Sequence, residues 1–212
     1  KVRVDEVSPR YGVVAESQDS GFVRGAHHLM ARYGSTPLEL NQWYHVAGVY
    51  DFVTHDDQEH VWPKYVALNP GSSFRGLHDS LVNYESGRQP NPEIILCCHE
   101  EIAVSLAHGY AKAAGKPMAA IVHNVVGLQH ASMAIYNAWC DRTPIVVMGG
   151  TGPMNTSKRR PWIDWIHTAL VQGNLVRDFV KWDDQPVGVE AIPSSMLRGY
   201  RITMTEPKGP VY

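Results

Sequence analysis

Residues 93–127 read EIILCCHEEIAVSLAHGYAKAAGKPMAAIVHNVVG. A short apolar run ends at a carboxylate, a stretch with helical periodicity follows, Gly115-Lys116-Pro117 breaks it, and a second apolar run begins. This order predicts strand, helix, strand, with Glu100 where the first strand hands over to the helix. Ligands of open α/β sheets gather at the carboxyl ends of strands, so a carboxylate there is a candidate for chemistry. The alternative is a carboxylate at a helix start that serves only the helix dipole, and Glu101 is left with that role.

The pattern extends outward from this unit. YVALNPG (65–71) predicts an earlier strand ended by Asn69-Pro70-Gly71, a turn no helix runs through. A helix follows, with Ser72 or Ser73 as its cap and Phe74, Leu77, Leu81 and Val82 on one apolar face. EIILCCH (93–99) is the second strand and 101–114 the second helix. Ile102, Leu106 and Tyr110 recur there at helical spacing, and Ala103, Ala107 and Ala111 suit close packing on a neighbour. MAAIVHN (118–124) is the third strand, 128–139 the third helix, and PIVVMGG (144–150) the fourth strand. Beyond it, 162–175 and 190–203 fit helices, 179–186 a short extended piece, and 208–212 the start of a last strand. Such alternation predicts an α/β, doubly wound parallel sheet flanked by helices.

The first fifty residues differ in style. VRVDEV, YGVVAES and 38–51 are β-rich, and WYHVAGVYD (43–51) resembles a strand of laminin-G/concanavalin-like sandwich domains, which makes residues 1–50 a possible sandwich fragment. Residues 51–64, with His55, Asp56, Asp57, Glu59 and His60, read as an acidic linker or junction whose spacing matches neither a zinc nor an EF-hand site. The shift of style there also fits a composite of two gene fragments.

Composition narrows the function. Nineteen Lys and Arg against 21 Asp and Glu give a charge of −2, which offers no general case for nucleic acid or an anionic membrane. Lys158-Arg159-Arg160 reads as a solvated loop. No run approaches the ~18 apolar residues of a membrane span, and no signal-type segment opens the chain. Three cysteines make no disulfide framework. Cys97 and Cys98 sit in an apolar run, where a thiol is a poor nucleophile, and a buried, reduced, cytoplasmic setting is expected. There is no Gly-x-Gly-x-x-Gly after a strand, no phosphate loop with Lys and no Gly-x-Ser-x-Gly elbow.

Taken together, Asn69-Pro70-Gly71, HEEIAVSLAHGYAKAAGKP, DRTPIVVMGG and EPKGPVY resemble the pyrimidine-binding (Pyr) domain of thiamine-diphosphate-dependent enzymes. The similarity is to the acetolactate synthase, benzoylformate decarboxylase and pyruvate decarboxylase superfamily, and it covers 65–212. It implies thiamine diphosphate as cofactor, with Mg²⁺ held by a separate PP domain through a Gly-Asp-Gly…Asn motif that these residues lack. The family's glutamate lies nine residues before the glycine of GYA, Gly109, and so falls on Glu100. There it would hydrogen-bond N1′ of the aminopyrimidine and favour the tautomer that removes the thiazolium C2 proton. Partial burial would raise the Glu100 pKa and the helix N-terminus would lower it.

Asn69, Pro70 and Gly71 correspond to the family's cofactor-side turn, or are a plain strand-to-helix turn. His123, Asn124 and Gly127 lie in a loop, HNVVGLQH, that departs from the Gly-Pro-Gly form of the acetolactate synthases. His123 or Gln129 is a candidate to face substrate, whereas His130 is expected on the helix outside the site. The resemblance implies a lyase or transferase acting on a small 2-oxo acid, by decarboxylation or carboligation, as a homodimer or tetramer. It also implies a domain that is C-terminally truncated here and inactive until a PP domain completes it in cis or on another chain. The competing expectation is a non-catalytic Pyr-fold dimerisation or binding module.

Overall fold

The computed structural model describes residues 2–4, 13–15, 63–85 and 92–212. Within the first fifty residues β1 (Val2–Val4) pairs antiparallel with β2 (Val13–Ala15). The strand expected over 38–51 and the junction before Pro63 lie outside the described residues.

From residue 65 the chain runs β3 (Tyr65–Leu68), α1 (Arg75–Glu85), β4 (Glu93–Leu96), α2 (Glu100–Ala114), β5 (Met118–Val122), α3 (Val125–Cys140) and β6 (Ile145–Gly149). After these come a four-residue helical turn, α4 (Ile163–Ile166), and α5 (Ile192–Met204). The four strands form one parallel sheet in the order β4-β3-β5-β6. Val211 extends it beyond β6 through a parallel bridge to Val146. The extended piece after 179 then bonds outside Val211, by Lys181 N–H to Pro210 O and Tyr212 N–H to Trp182 O. The α/β class and the parallel sheet are as the alternation of the sequence predicts.

Strand periodicity assigns the two faces. Val66, Leu68, Ala119 and Ile121 pack with Phe74 and Leu81 on the α1 side. Ala67, Met118, Ala120 and Val122 point the other way, into the core formed with α2 and α3. β5 is buried at all five positions, as a central parallel strand should be. β4 is an edge strand with Leu96 largely exposed.

Four readings are corrected. The buried side of α2 is Ala103, Val104, Ala107 and Ala111, whereas Ile102 is half exposed. The small residues thus bring α2 onto α3 and the sheet. The helix expected over 162–175 is only α4 followed by a 3₁₀ turn, Gln172–Leu175. Trp165, Ile166 and Leu170 are exposed there and Gly173 interrupts the run, so no single face could be buried. Cys97 is buried, but Cys98 is exposed because β4 ends at Leu96. No serine side chain caps the helix after β3: the chain enters through a 3₁₀ turn, Ser72–Phe74, whose cap residue is Gly71. Among the described residues no helix is long and apolar enough to cross a membrane.

Candidate functional site

The path of the chain creates the site. α1 carries it from β3 to β4 on one side, and α2 carries it back across β3 to β5 on the other. The carboxyl ends of β3 and β5 therefore flank a point where strand order reverses, the position at which open α/β sheets leave a crevice. Asn69, Pro70 and Gly71 leave β3 there, and His123 and Asn124 leave β5.

Glu100 enters from the start of α2. His99 is the N-cap, with extended backbone and its Nδ1 accepting from Glu101 N–H at 3.2 Å, so Glu100 is the first helical residue. Its side chain folds inward and the residue is 4% exposed. Burial raises the pKa, but the Glu100 backbone N–H, the Asn69 side chain and His130 all favour the anion and together hold the carboxyl below its ordinary range. The opposition foreseen between burial and helix start is thus decided for the anion.

Gly127 is what lets the carboxylate lie where it does. A Cβ there would stand 2.8 Å from His123 Cβ, 2.9 Å from Glu100 Oε1 and 3.1 Å from Glu100 Cγ. Gly71 plays the same part on the other wall, where a Cβ would meet His123 Nδ1 at 2.8 Å. His123 is half-buried between them, and its Nδ1 is 2.7 Å from Ser73 Oγ. That hydroxyl also accepts from Asn124 N–H at 3.2 Å, so Ser73 ties the His123 ring to the backbone that follows β5. His167 approaches with ring centroids 5.5 Å apart. Asn124 is 2% exposed, and its Oδ1 is buried without a partner among the described residues.

Asn69, Gly71, Glu100, His123, Asn124 and Gly127 thus meet at one end of the sheet. Gln129 is exposed on α3, one residue before the position that turns towards Glu100, and is not brought into the group. The segment after β5 is not the loop expected: α3 already begins at Val125, so only His123 and Asn124 are non-helical. Two participants were missed. His130, expected outside the site, reaches Glu100 Oε2 with its Nδ1 at 3.3 Å. Ser73, read as a cap, holds His123 instead. The signal for His130 was its spacing of three from Gly127, which places both on one helix face.

Desolvation, then the nearby His167, push the His123 pKa below its ordinary 6.5, with the Glu100 charge opposing them. A depressed folded value means the unfolded chain takes up the proton first. This contribution to stability is therefore present above 6.5 and lost as pH falls through the folded value. Glu100 acts in the same sense lower down: its contribution is present above 4.5 and lost as pH falls through its folded value. Stability is expected to fall in two stages on acidification, and His123→Gln to remove the first. Imidazole NMR titration checks the cause, since a His123 midpoint at or above 6.5 would contradict it.

The carboxyl ends of β3 and β5 thus bring together a buried carboxylate, an imidazole and an amide oxygen without a partner among the described residues. The family model described as thiamine pyrophosphate enzyme, N-terminal TPP binding domain, matches residues 63–174. Benzoylformate decarboxylase of Pseudomonas aeruginosa is 26% identical over 118 residues, 56% of this chain and 22% of that protein. The acetolactate synthase large subunit of Lactococcus lactis is 29% identical over 143 residues, 67% of this chain and 23% of that protein. The crystal structure of benzoylformate decarboxylase from Polynucleobacter necessarius is similar with a TM-score of 0.60 and 26% identity, over 70% of this chain and 26% of that one. The chain thus spans less than a quarter of the length of these curated relatives.

Proposed function

The chain belongs to the family of thiamine pyrophosphate enzyme N-terminal TPP-binding domains, and from that premise we propose that it is the pyrimidine-binding half of a thiamine-diphosphate-dependent enzyme. The proposed reaction is decarboxylation or carboligation of a small 2-oxo acid. The observation that carries this reading is Glu100, a buried carboxylate at a strand-to-helix junction, lying over a glycine beside the reversal of strand order. When bound, such a cofactor supplies the carbanion chemistry that the side chains of a protein cannot.

The residues fit the pyrimidine portion of that group. Gly127 and Gly71 let the Glu100 and His123 side chains approach closely, and the Asn124 Oδ1 atom is available to a donor. Glu100 would share a proton with a ring nitrogen through a carboxylate oxygen. In the free chain its hydrogen-bond donors outweigh burial. Covering the site would remove water and raise the affinity of that oxygen for a proton, towards a value useful at neutral pH. His123, kept neutral by its lowered pKa and fixed by Ser73, would offer a ring nitrogen to a 2-oxo acid. Asn69 would keep the Glu100 carboxylate in place.

The residues do not fit the diphosphate and its Mg²⁺. The sequence contains no Gly-Asp-Gly, and among the described residues the one group of possible metal ligands, His99, Glu100 and His130, holds a single carboxylate. The reading therefore requires a PP domain, in cis or on a second chain, and an assembly of at least two such units. The test is deuterium exchange at cofactor C2. The chain alone should leave exchange at its solution rate, and the chain assembled with a PP domain should accelerate it. No acceleration in a complex shown to form would favour a non-catalytic module.

A further inference from the structure

The Glu100 carboxylate has one neighbour for which the family reading gives no role. His130 Nδ1 lies 3.3 Å from Glu100 Oε2. An ionised carboxylate only accepts, so Nδ1 donates. His130 is 56% exposed in its side chain, yet its ring does not hang free. It stacks on His99 with centroids 4.7 Å apart and planes 23° from parallel. His99 is in turn pinned by its own Nδ1, which caps α2 at Glu101. The cap of α2, the stacked ring and the hydrogen bond thus form one brace from α2 to α3, closing on Glu100.

The two oxygens of Glu100 are thereby distinguished. Oε2 is bound by His130, and Oε1 is the one that a Cβ on Gly127 would strike at 2.9 Å. We propose that His130, braced by its stack on His99, is a positioning residue that fixes the Glu100 carboxylate and presents Oε1 across Gly127. The same three side chains do not make a metal centre as they stand. Their donor atoms lie within 4.8 Å of one another, but the two rings stack 23° from parallel, so their in-plane lone pairs run nearly side by side. Zinc–nitrogen bonds of about 2.0–2.1 Å need donors that converge on one point.

The significance of the brace rests on Glu100 acting on the cofactor, but its existence does not, and the test uses the whole chain without cofactor. Carboxyl ¹³C titration of Glu100, assigned by its absence from the Glu100→Gln spectrum, reads the bond directly. Losing the His130 donor should move the Glu100 midpoint to higher pH by about half a unit or more in His130→Ala and in His130→Leu. His130→Asn should restore the original midpoint, because its amide nitrogen falls close to the position of Nδ1. His99→Asn keeps a cap acceptor and removes only the stack, so it should shift the midpoint part of the way.

The other titratable groups nearby are His123 at the end of β5, which feels the Glu100 charge, and Glu101 beside it on α2. Both are unchanged in every variant, and Asn69 after β3 keeps its bond to Glu100. An unmoved midpoint in both donor-free variants, or equal shifts in the Asn and Ala variants, would overturn the proposal. Failure of the exchange assay together with the expected titration would leave the brace standing and remove only the cofactor reading.

Discussion

Glu100→Gln is expected to slow cofactor C2 exchange in the assembled enzyme by about 10²- to 10⁴-fold, the range that positioned acid–base groups contribute. Glutamine keeps the shape and can still form hydrogen bonds, but its amide cannot share a proton with a ring nitrogen. The loss should therefore fall on the exchange rate far more than on cofactor affinity, which many other contacts support. The substitution should also change acid stability. The wild-type carboxylate, with its folded pKa below 4.5, contributes stability that disappears as the pH falls through that value. The glutamine variant has no such contribution to lose, so its stability should be flatter across that interval. An exchange rate within a few-fold of wild type would remove Glu100 from the chemistry.

The second large effect is expected at Gly127. Two opposing contributions decide its sign. Alanine in a helix is ordinarily better than glycine by about 0.8–1.0 kcal/mol. Here the added methyl meets the Cβ of His123 at 2.8 Å and two atoms of Glu100 within 3.1 Å. The His123 contact is with a Cβ, which cannot swing away, and overpacking of this kind costs roughly 1–3 kcal/mol. Gly127→Ala should accordingly destabilise the domain in urea titration. Displacing Glu100 should slow exchange by about 10²-fold, since misplacing a reacting group by an ångström costs that much. Gly109 is the control on α2: a Cβ there meets nothing within 4 Å, so Gly109→Ala should stabilise by roughly 0.5–1 kcal/mol. If both glycines responded alike, the close approach of Gly127 to Glu100 would not be what holds the site together.

The strand–helix alternation from residue 65, the parallel sheet and the position of Glu100 were legible because each depends on local pattern. Apolar runs of strand length, the Asn69-Pro70-Gly71 and Gly115-Lys116-Pro117 breaks, and a carboxylate at a junction need no tertiary information. What was misread depended on which side of an element faces inward. In α2 helical spacing groups Ile102 with Leu106 and Tyr110, but packing against α3 and the sheet buries the alanines and leaves Ile102 half exposed. His130 was missed because α3 was started at Leu128 rather than Val125. Adding the first turn puts Gly127 and His130 on one face, directed at Glu100. Ser73 has the side chain of a cap, and only the approach of β5 shows that it serves His123 instead. The 162–175 segment carries helical-looking residues, and its exposed tryptophan and leucine side chains show that no layer of the described residues lies over them.

The central claim is that Glu100 meets the aminopyrimidine of thiamine diphosphate. The most direct measurement is a crystal structure of the chain assembled with a PP domain, Mg²⁺ and the cofactor. The predicted result places a Glu100 carboxylate oxygen at hydrogen-bond distance from ring nitrogen N1′, about 2.5–3.0 Å. A cofactor bound with N1′ against another group, and Glu100 still turned only to His130 and Asn69, would contradict it.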